Sequence, residues 1–208
     1  MSMHVDIHLF VGSDIPLRVA FTARPGEVFL VTGANGSGKT TLLRALLGLV
    51  CPVRGEVRWG DDTWSKGPEI LVPSESRGFG YAPQTATLLP GRSVAHNVDL
   101  GMILRGVPPR GPQPLAGEWI EQFGLRALRE RVARNLSGGE AARTNLARAF
   151  ASHPRHLALD EPLAHVAQDA RPSMVDALAR GLHKFEGPHF IVTHHPEWFA
   201  TISSRRFR

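Results

Sequence analysis

Residues 4–11 and 17–23 are rich in apolar and β-branched residues and flank Gly12-Ser13-Asp14, which predicts a β-hairpin. Arg24-Pro25-Gly26-Glu27 reads as a turn. The apolar run at 28–31 predicts a short buried strand, and the apolar spacing over 41–49 predicts a helix. Cys51-Pro52 would end that helix, because proline cannot continue it. A strand is expected at 55–60. An irregular surface stretch with Gly67, Pro68 and Pro73 follows at 61–76, then a strand at 78–82 that stops at Pro83-Gln84.

From there the period changes. Residues 92–105 carry a helical repeat, and the proline-rich stretch 106–114 reads as a rigid, extended connector. Residues 116–131 read as one or two helices, and 138–152 as another that starts after Ser137, a suitable N-cap. Core-like strands return at 156–160 and 189–193, with an amphipathic helix at 173–183 between them. The order predicts an α/β core interrupted by a helical insert at 86–147.

Composition narrows the class. The 208 residues are 42% hydrophobic and 21% charged, as in a soluble globular chain able to bury one sizeable core. No apolar run approaches the eighteen or so residues needed to cross a bilayer. The start, Met1-Ser2-Met3-His4-Val5-Asp6, lacks the pattern of a secretory signal. The single cysteine, Cys51, excludes an intramolecular disulfide and suits a reducing cytoplasm. A net charge of +5 could suit nucleic acid, but the arginines are scattered except at Arg205-Arg206-Phe207-Arg208, and no aromatic residues are interleaved as stacking platforms. Nucleic acid is therefore not an expected partner.

Gly33-Ala34-Asn35-Gly36-Ser37-Gly38-Lys39-Thr40 fits G-x-x-x-x-G-K-[ST], a phosphate-binding loop between a strand and a helix. Its glycines let backbone N–H groups face an anion, and the helix that follows presents its positive end to the same place. Lys39 would reach the β- and γ-phosphates, and the Thr40 hydroxyl would ligate Mg²⁺. A second candidate is Leu157-Ala158-Leu159-Asp160-Glu161-Pro162, an apolar strand ending in two acids. Asp160 would serve the same metal, while Glu161 would orient or deprotonate an attacking water.

Leu136-Ser137-Gly138-Gly139-Glu140, taken with the P-loop, Gln84, Asp160-Glu161 and Thr193-His194, resembles the ATPase subunits of ATP-binding cassette transporters. The order and spacing of these motifs match across nearly the whole chain. The resemblance implies one domain over 1–208. Residues 1–85 and 148–208 would form a P-loop NTPase core, a RecA-like mixed sheet with an antiparallel β subdomain, and 86–147 a helical subdomain. It implies ATP and Mg²⁺ as cofactors and ATP hydrolysis as the activity. Gly33, Asn35, Gly36, Ser37, Gly38, Lys39, Thr40 and Thr41 would bind the nucleotide. Thr40, Gln84 and Asp160 would hold the metal, and Lys39, Glu161 and His194 would be catalytic. Ser137, Gly138, Gly139 and Glu140 would act in trans on the ATP of a second cassette, closing head to tail. Arg143 and Arg148 match structural basic positions of that helix, and His195 has no assigned role. Phe10 stands where the family places an adenine-stacking aromatic, and reads equally as a core residue of the first strand.

The implied partners are a second ATPase subunit, transmembrane permease subunits and a periplasmic or surface substrate-binding protein, at the cytoplasmic face of a bacterial membrane. Leu88-Leu89-Pro90 and Pro73-Ser74-Glu75-Ser76-Arg77 look like those of small molybdate, tungstate and related oxyanion importers. One departure stands out. The loop after Pro162 reads Leu163-Ala164-His165-Val166-Ala167, with Ala167 where the family carries aspartate and Asp169 as the nearest acid. The sequence also stops shortly after His194, so no regulatory extension is expected. Two other readings stay open. One is a cassette acting on nucleic acid or ribosomes, which the lack of sustained heptads disfavours. The other is a weakly catalytic nucleotide-binding subunit, suggested by Ala167.

Overall fold

In a computed structural model, residues 1–12, 15–103 and 117–207 are described. The expected connector at 106–114 lies outside the described residues, as do Ser13, Asp14 and Arg208. The chain divides into two compact units, residues 1–79 with 186–208 and residues 80–185.

The first unit begins with the expected hairpin. β1 (Met3–Val11) pairs antiparallel with β2 (Ile15–Ala23) and, on its other side, with β4 (Arg54–Trp59). The sheet continues through β5 (Asp62–Lys66) to β6 (Glu69–Ile70), giving the order β2-β1-β4-β5-β6. The alternation of β1 is a two-sided strand pattern, with Met3, Val5, Ile7 and Leu9 buried and His4, His8 and Phe10 exposed. Residues 61–76 are thus not the irregular stretch expected. Trp59 pairs with Asp62 across Gly60-Asp61, a two-residue hairpin turn, and Trp64 and Ser65 are buried. Gly-Asp between two strand-like runs was the available signal.

The same unit holds a parallel set. β3 (Val28–Val31) lies between β9 (His189–Val192) and β10 (Arg205–Phe207), and all four residues of both β3 and β9 are buried. Strands buried on both faces read as continuous apolar runs, which is why they were visible in the sequence. Phe21, Phe29 and Phe190 pack with ring centroids 5.3–5.8 Å apart.

Helix α1 (Lys39–Leu46) starts two residues earlier than expected and ends well before Pro52. Gly48, at φ +75°, closes it: Gly48 N–H donates to Ala45 O and Leu49 N–H to Arg44 O, the paired bonds of a Schellman cap. The guanidinium of Arg77 is also spent on this end. It is 1% exposed and donates to Ala45 O, Leu46 O, Val72 O, Trp64 O and Ser65 Oγ at 2.7–3.1 Å.

The second unit contains β7 (Phe79–Ala82, from Gly80 onward) and β8 (His156–Asp160). Its helices are α2 (Val94–Ile103), α3 (Gly117–Gln122), α4 (Gly138–Ala151) and α5 (Arg171–Leu182). Residues 116–131 resolve into α3 and a single 3₁₀ turn, Arg126–Leu128. Trp119, Phe123, Phe150 and Phe185 form the aromatic centre of this unit, with Phe150 at 5.1 Å from Trp119 and 5.2 Å from Phe123. Among the described residues, no helix is long and apolar enough to cross a membrane.

Candidate functional site

In the first unit the parallel register sets the geometry. Val31 pairs with Val192, so the P-loop and Thr193-His194 leave their strands at the same carboxyl edge. Thr193 N–H donates to Val31 O at 3.1 Å, and His194 is exposed just beyond it. Carboxyl edges of parallel strands are where α/β sheets bind ligands.

The loop curls as its glycines require. Gly38 sits at φ +93°, a left-handed conformation that L side chains avoid, and a Cβ there would lie 2.5 Å from Val11 and 2.8 Å from Leu17 side chains. Gly38 is also the N-cap of α1 and offers no side-chain cap, and the first turn of α1 carries no acid. Helix-start N–H groups without a side-chain acceptor suit an incoming anion. The Lys39 ammonium arches back over the loop, donating to Gly33 O at 2.9 Å and Ala34 O at 2.8 Å. That places a positive charge above the cradle, so these residues fit a polyphosphate. A cavity of about 260 Å³ adjoins it, lined by Leu17, Val19, Val31, Lys39 and Leu42 among others. Phe10 does not line this cavity and is 47% exposed, so it is not a core residue of β1.

In the second unit, Gln84, Asp160, Glu161 and His165 line one crevice of about 10 Å³, room for about one water molecule. Asp160 and Glu161 are 3% and 9% exposed. Glu161 stands at φ +49°, left-handed without being glycine, a conformation that costs about 1–2 kcal/mol. Strain of this kind collects at functional sites, where it aims a side chain. Nothing in the sequence signals it. Among the described residues no group of three His, Cys, Asp or Glu side chains could hold a metal alone. The carboxylates of Asp160 and Glu161 beside Gln84 are oxygen donors of the kind Mg²⁺ takes, one or two at a time, with phosphates and water completing its shell.

Helix α4 opens on a complete capping box. Ser137 Oγ accepts from Glu140 N–H at 3.3 Å, and Glu140 accepts from Ser137 N–H at 2.7 Å. The Ser137 N–H, then its hydroxyl and Arg131, hold the Glu140 carboxyl below its ordinary pKa. A depressed carboxylate contributes stability above its unfolded pKa and loses it as pH falls through the folded one, so the cap weakens in acid. Ser137→Ala should cost about 1 kcal/mol, read as a shift in the urea midpoint. Gly139 is sterically required, since a Cβ would lie 2.9 Å from His165 O, whereas at Gly138 nothing lies within 4 Å. Ala167 is exposed and N-caps the 3₁₀ turn Gln168–Ala170, which contains Asp169.

The family model described as ABC transporter matches residues 17–164. This chain belongs to the ABC transporter family. It carries that family's ATP-binding cassette. The molybdate/tungstate import ATP-binding protein WtpC of Pyrococcus horikoshii is 33% identical over 189 residues, 90% of this chain and 53% of the relative. The molybdenum import ATP-binding protein ModC of Pseudomonas fluorescens is 32% identical over 204 residues, 98% of this chain and 56% of the relative. The putative 2-aminoethylphosphonate import ATP-binding protein PhnT of Salmonella typhimurium is 34% identical over 183 residues, 88% of this chain and 47% of the relative. The chain thus spans about half the length of the curated relatives it matches. Its fold is that of the dimeric bacterial ABC transporter cassette MJ0796, with a TM-score of 0.83 at 22% identity over 99% of this chain and 93% of that one. The P-loop NTPase architecture expected from the motifs is therefore the one found.

Two residues of this ABC cassette escaped the sequence reading. Arg77 directly follows the stretch read as irregular, 61–76, and was named only within Pro73–Arg77, yet it is among the largest fully buried side chains. Asn145 sits on α4 at 3% exposure, and its signal was a polar residue beside the buried Leu146 and Ala147.

Proposed function

We propose that this cassette binds and hydrolyses MgATP and drives import through separate membrane subunits, at the cytoplasmic face of the membrane. Backbone N–H groups from Gly33 to Thr41, with Asn35, Gly36, Ser37 and Gly38 in the loop, bind the phosphates, and Lys39 neutralises them. Thr40, Gln84 and Asp160 are the metal ligands by motif, and bound Mg²⁺ would offset charge that develops on the phosphates. Glu161 orients and deprotonates the water, and His194 stabilises the transferring group. Phe10, on the exposed face of β1, is available to stack on the base.

A second cassette completes the site. The observation that supports this is Gly138: among the described residues, nothing beyond its own helical turn lies within 4 Å of a Cβ built there, which leaves room for a ligand to approach its backbone. The Ser137 hydroxyl and the start of α4 then face that molecule's γ-phosphate, with Gly139 and Glu140 holding the turn. Three of the relatives' names favour anionic cargo of the molybdate, tungstate or phosphonate class, while another, 34% identical, is named for Fe(3+) import; a substrate-binding protein would deliver the cargo. All are import proteins, which favours this reading over one on nucleic acid. Lys39→Ala tests it: ATP affinity should fall about 10–100-fold by equilibrium binding, the loss of one charge-assisted contact. Unchanged affinity would remove the P-loop assignment. A reading with binding but little turnover is favoured by Ala167 alone, and steady-state ATPase rates with the permease present separate the two.

A further inference from the structure

Residues 83–89 follow β7 without strand or helix of their own, so their backbone groups need partners elsewhere. Asn97 of α2 meets Leu89, accepting from its N–H at 2.7 Å and donating to its carbonyl at 3.2 Å, and two side chains of α4 hold the part around Gln84. Asn145 Nδ2 donates to Pro83 O at 3.0 Å. Arg148 Nη1 donates to Thr87 O at 2.7 Å, and its Nη2 to Thr87 Oγ1 at 3.1 Å. Arg148 Nη2 also donates to Asn145 Oδ1 at 2.8 Å, which joins the two into one network. Asn145 is buried, so its bonds are shielded from competing water.

We propose that Asn145 and Arg148 form a positioning clamp for Gln84, gripping the chain on both sides of it from the body of α4. Gln84 lies one residue after Pro83 and three before Thr87, and lines the crevice shared with Asp160 and Glu161. The clamp fixes where its amide oxygen can reach. Because the same helix is capped by Ser137, a shift of its first turn is passed along a rigid rod to Asn145, about 12 Å further on by helical rise, and from there to the segment that carries Gln84. Asn145 and Arg148 touch neither nucleotide nor metal; they act through Gln84. The inference rests on the proposed role of Gln84 at the metal.

Asn145→Asp is the discriminating variant. It preserves size and the acceptor toward Arg148, and removes the donor to Pro83 O. In the nucleotide-free 208-residue chain, amide hydrogen exchange across 84–88 should quicken about tenfold, the equivalent of one lost hydrogen bond. ATP affinity in EDTA should stay at the parent value, while the gain in affinity on adding Mg²⁺ should shrink about fivefold or more. A loss of general stability would move both affinities together. Thr87→Val, which removes only the hydroxyl, should change both readouts in the same direction by less, and serves if Asn145→Asp does not fold. Parent-like exchange overturns the clamp, and so does faster exchange with a parent-like Mg²⁺ gain. Gln84→Ala is the control: if it leaves the Mg²⁺ gain intact, the metal role of Gln84 fails, while the exchange result still judges the clamp.

Discussion

Glu161→Gln should bind ATP like the parent and hydrolyse it about 10²–10⁴-fold more slowly, the range lost with a general base. The substitution keeps volume and hydrogen-bonding reach. It adds no strain beyond that already present at φ +49°, because the two side chains are identical through Cδ and neither branches at Cβ. What it removes is a carboxylate able to take a proton from water in a crevice sized for about one such molecule. In the proposed site Asp160, its neighbour, stays to serve the metal, so nucleotide affinity should hold. Single-turnover hydrolysis and equilibrium binding measure the two halves separately. Turnover at the parent rate would move the base elsewhere, and lost binding would recast Glu161 as part of the nucleotide cradle.

Arg77→Met should destabilise the chain by about 3–5 kcal/mol. Five donor bonds end on the guanidinium. Ala45 O and Trp64 O keep other N–H partners from Gly48 and from Leu71 and Val72. Leu46 O, Val72 O and Ser65 Oγ lose the donor that now reaches them. Each such loss in a buried site costs about 1–3 kcal/mol, and relief from burying a charge offsets part of the sum. Burial pushes Arg77 down to about 10, which leaves it charged at neutral pH, beside the negative end of α1. Arg77→Lys should recover only a fraction, since one ammonium cannot meet five acceptors in a plane. The urea midpoint at constant m-value reads both changes. A loss below about 1 kcal/mol for Arg77→Met would mean that water or a repacked Trp64 replaces these bonds.

Much of the site was legible because phosphate chemistry demands fixed residue types at short, fixed spacing. The P-loop, the paired acids after a buried strand and the Ser137 cap each depend on fewer than ten consecutive residues, and all appear on the elements expected of them. Buried parallel strands were legible for a similar reason, since both faces are apolar and no register need be known. The reading failed where a local rule had a competitor. Pro52 was credited with ending α1, but Gly48 gets there first through a left-handed cap. Prolines at 68 and 73 hid the β4–β5 hairpin, whose turn chemistry was present in Gly60-Asp61.

By itself the sequence determined the family, the order of most elements and the residue types proposed to meet phosphate and metal, because those are set by neighbours along the chain. The tertiary structure alone decided the rest. Arg77 finds carbonyls 31 and 32 residues away, and Asn145 finds Pro83 across 62. Gly139 is required by the carbonyl of His165, and Glu161 is bent into a left-handed turn. Such partners are chosen by packing at a distance, where one long polar side chain meets whichever buried acceptor the folded backbone brings to it, and no local periodicity records that meeting.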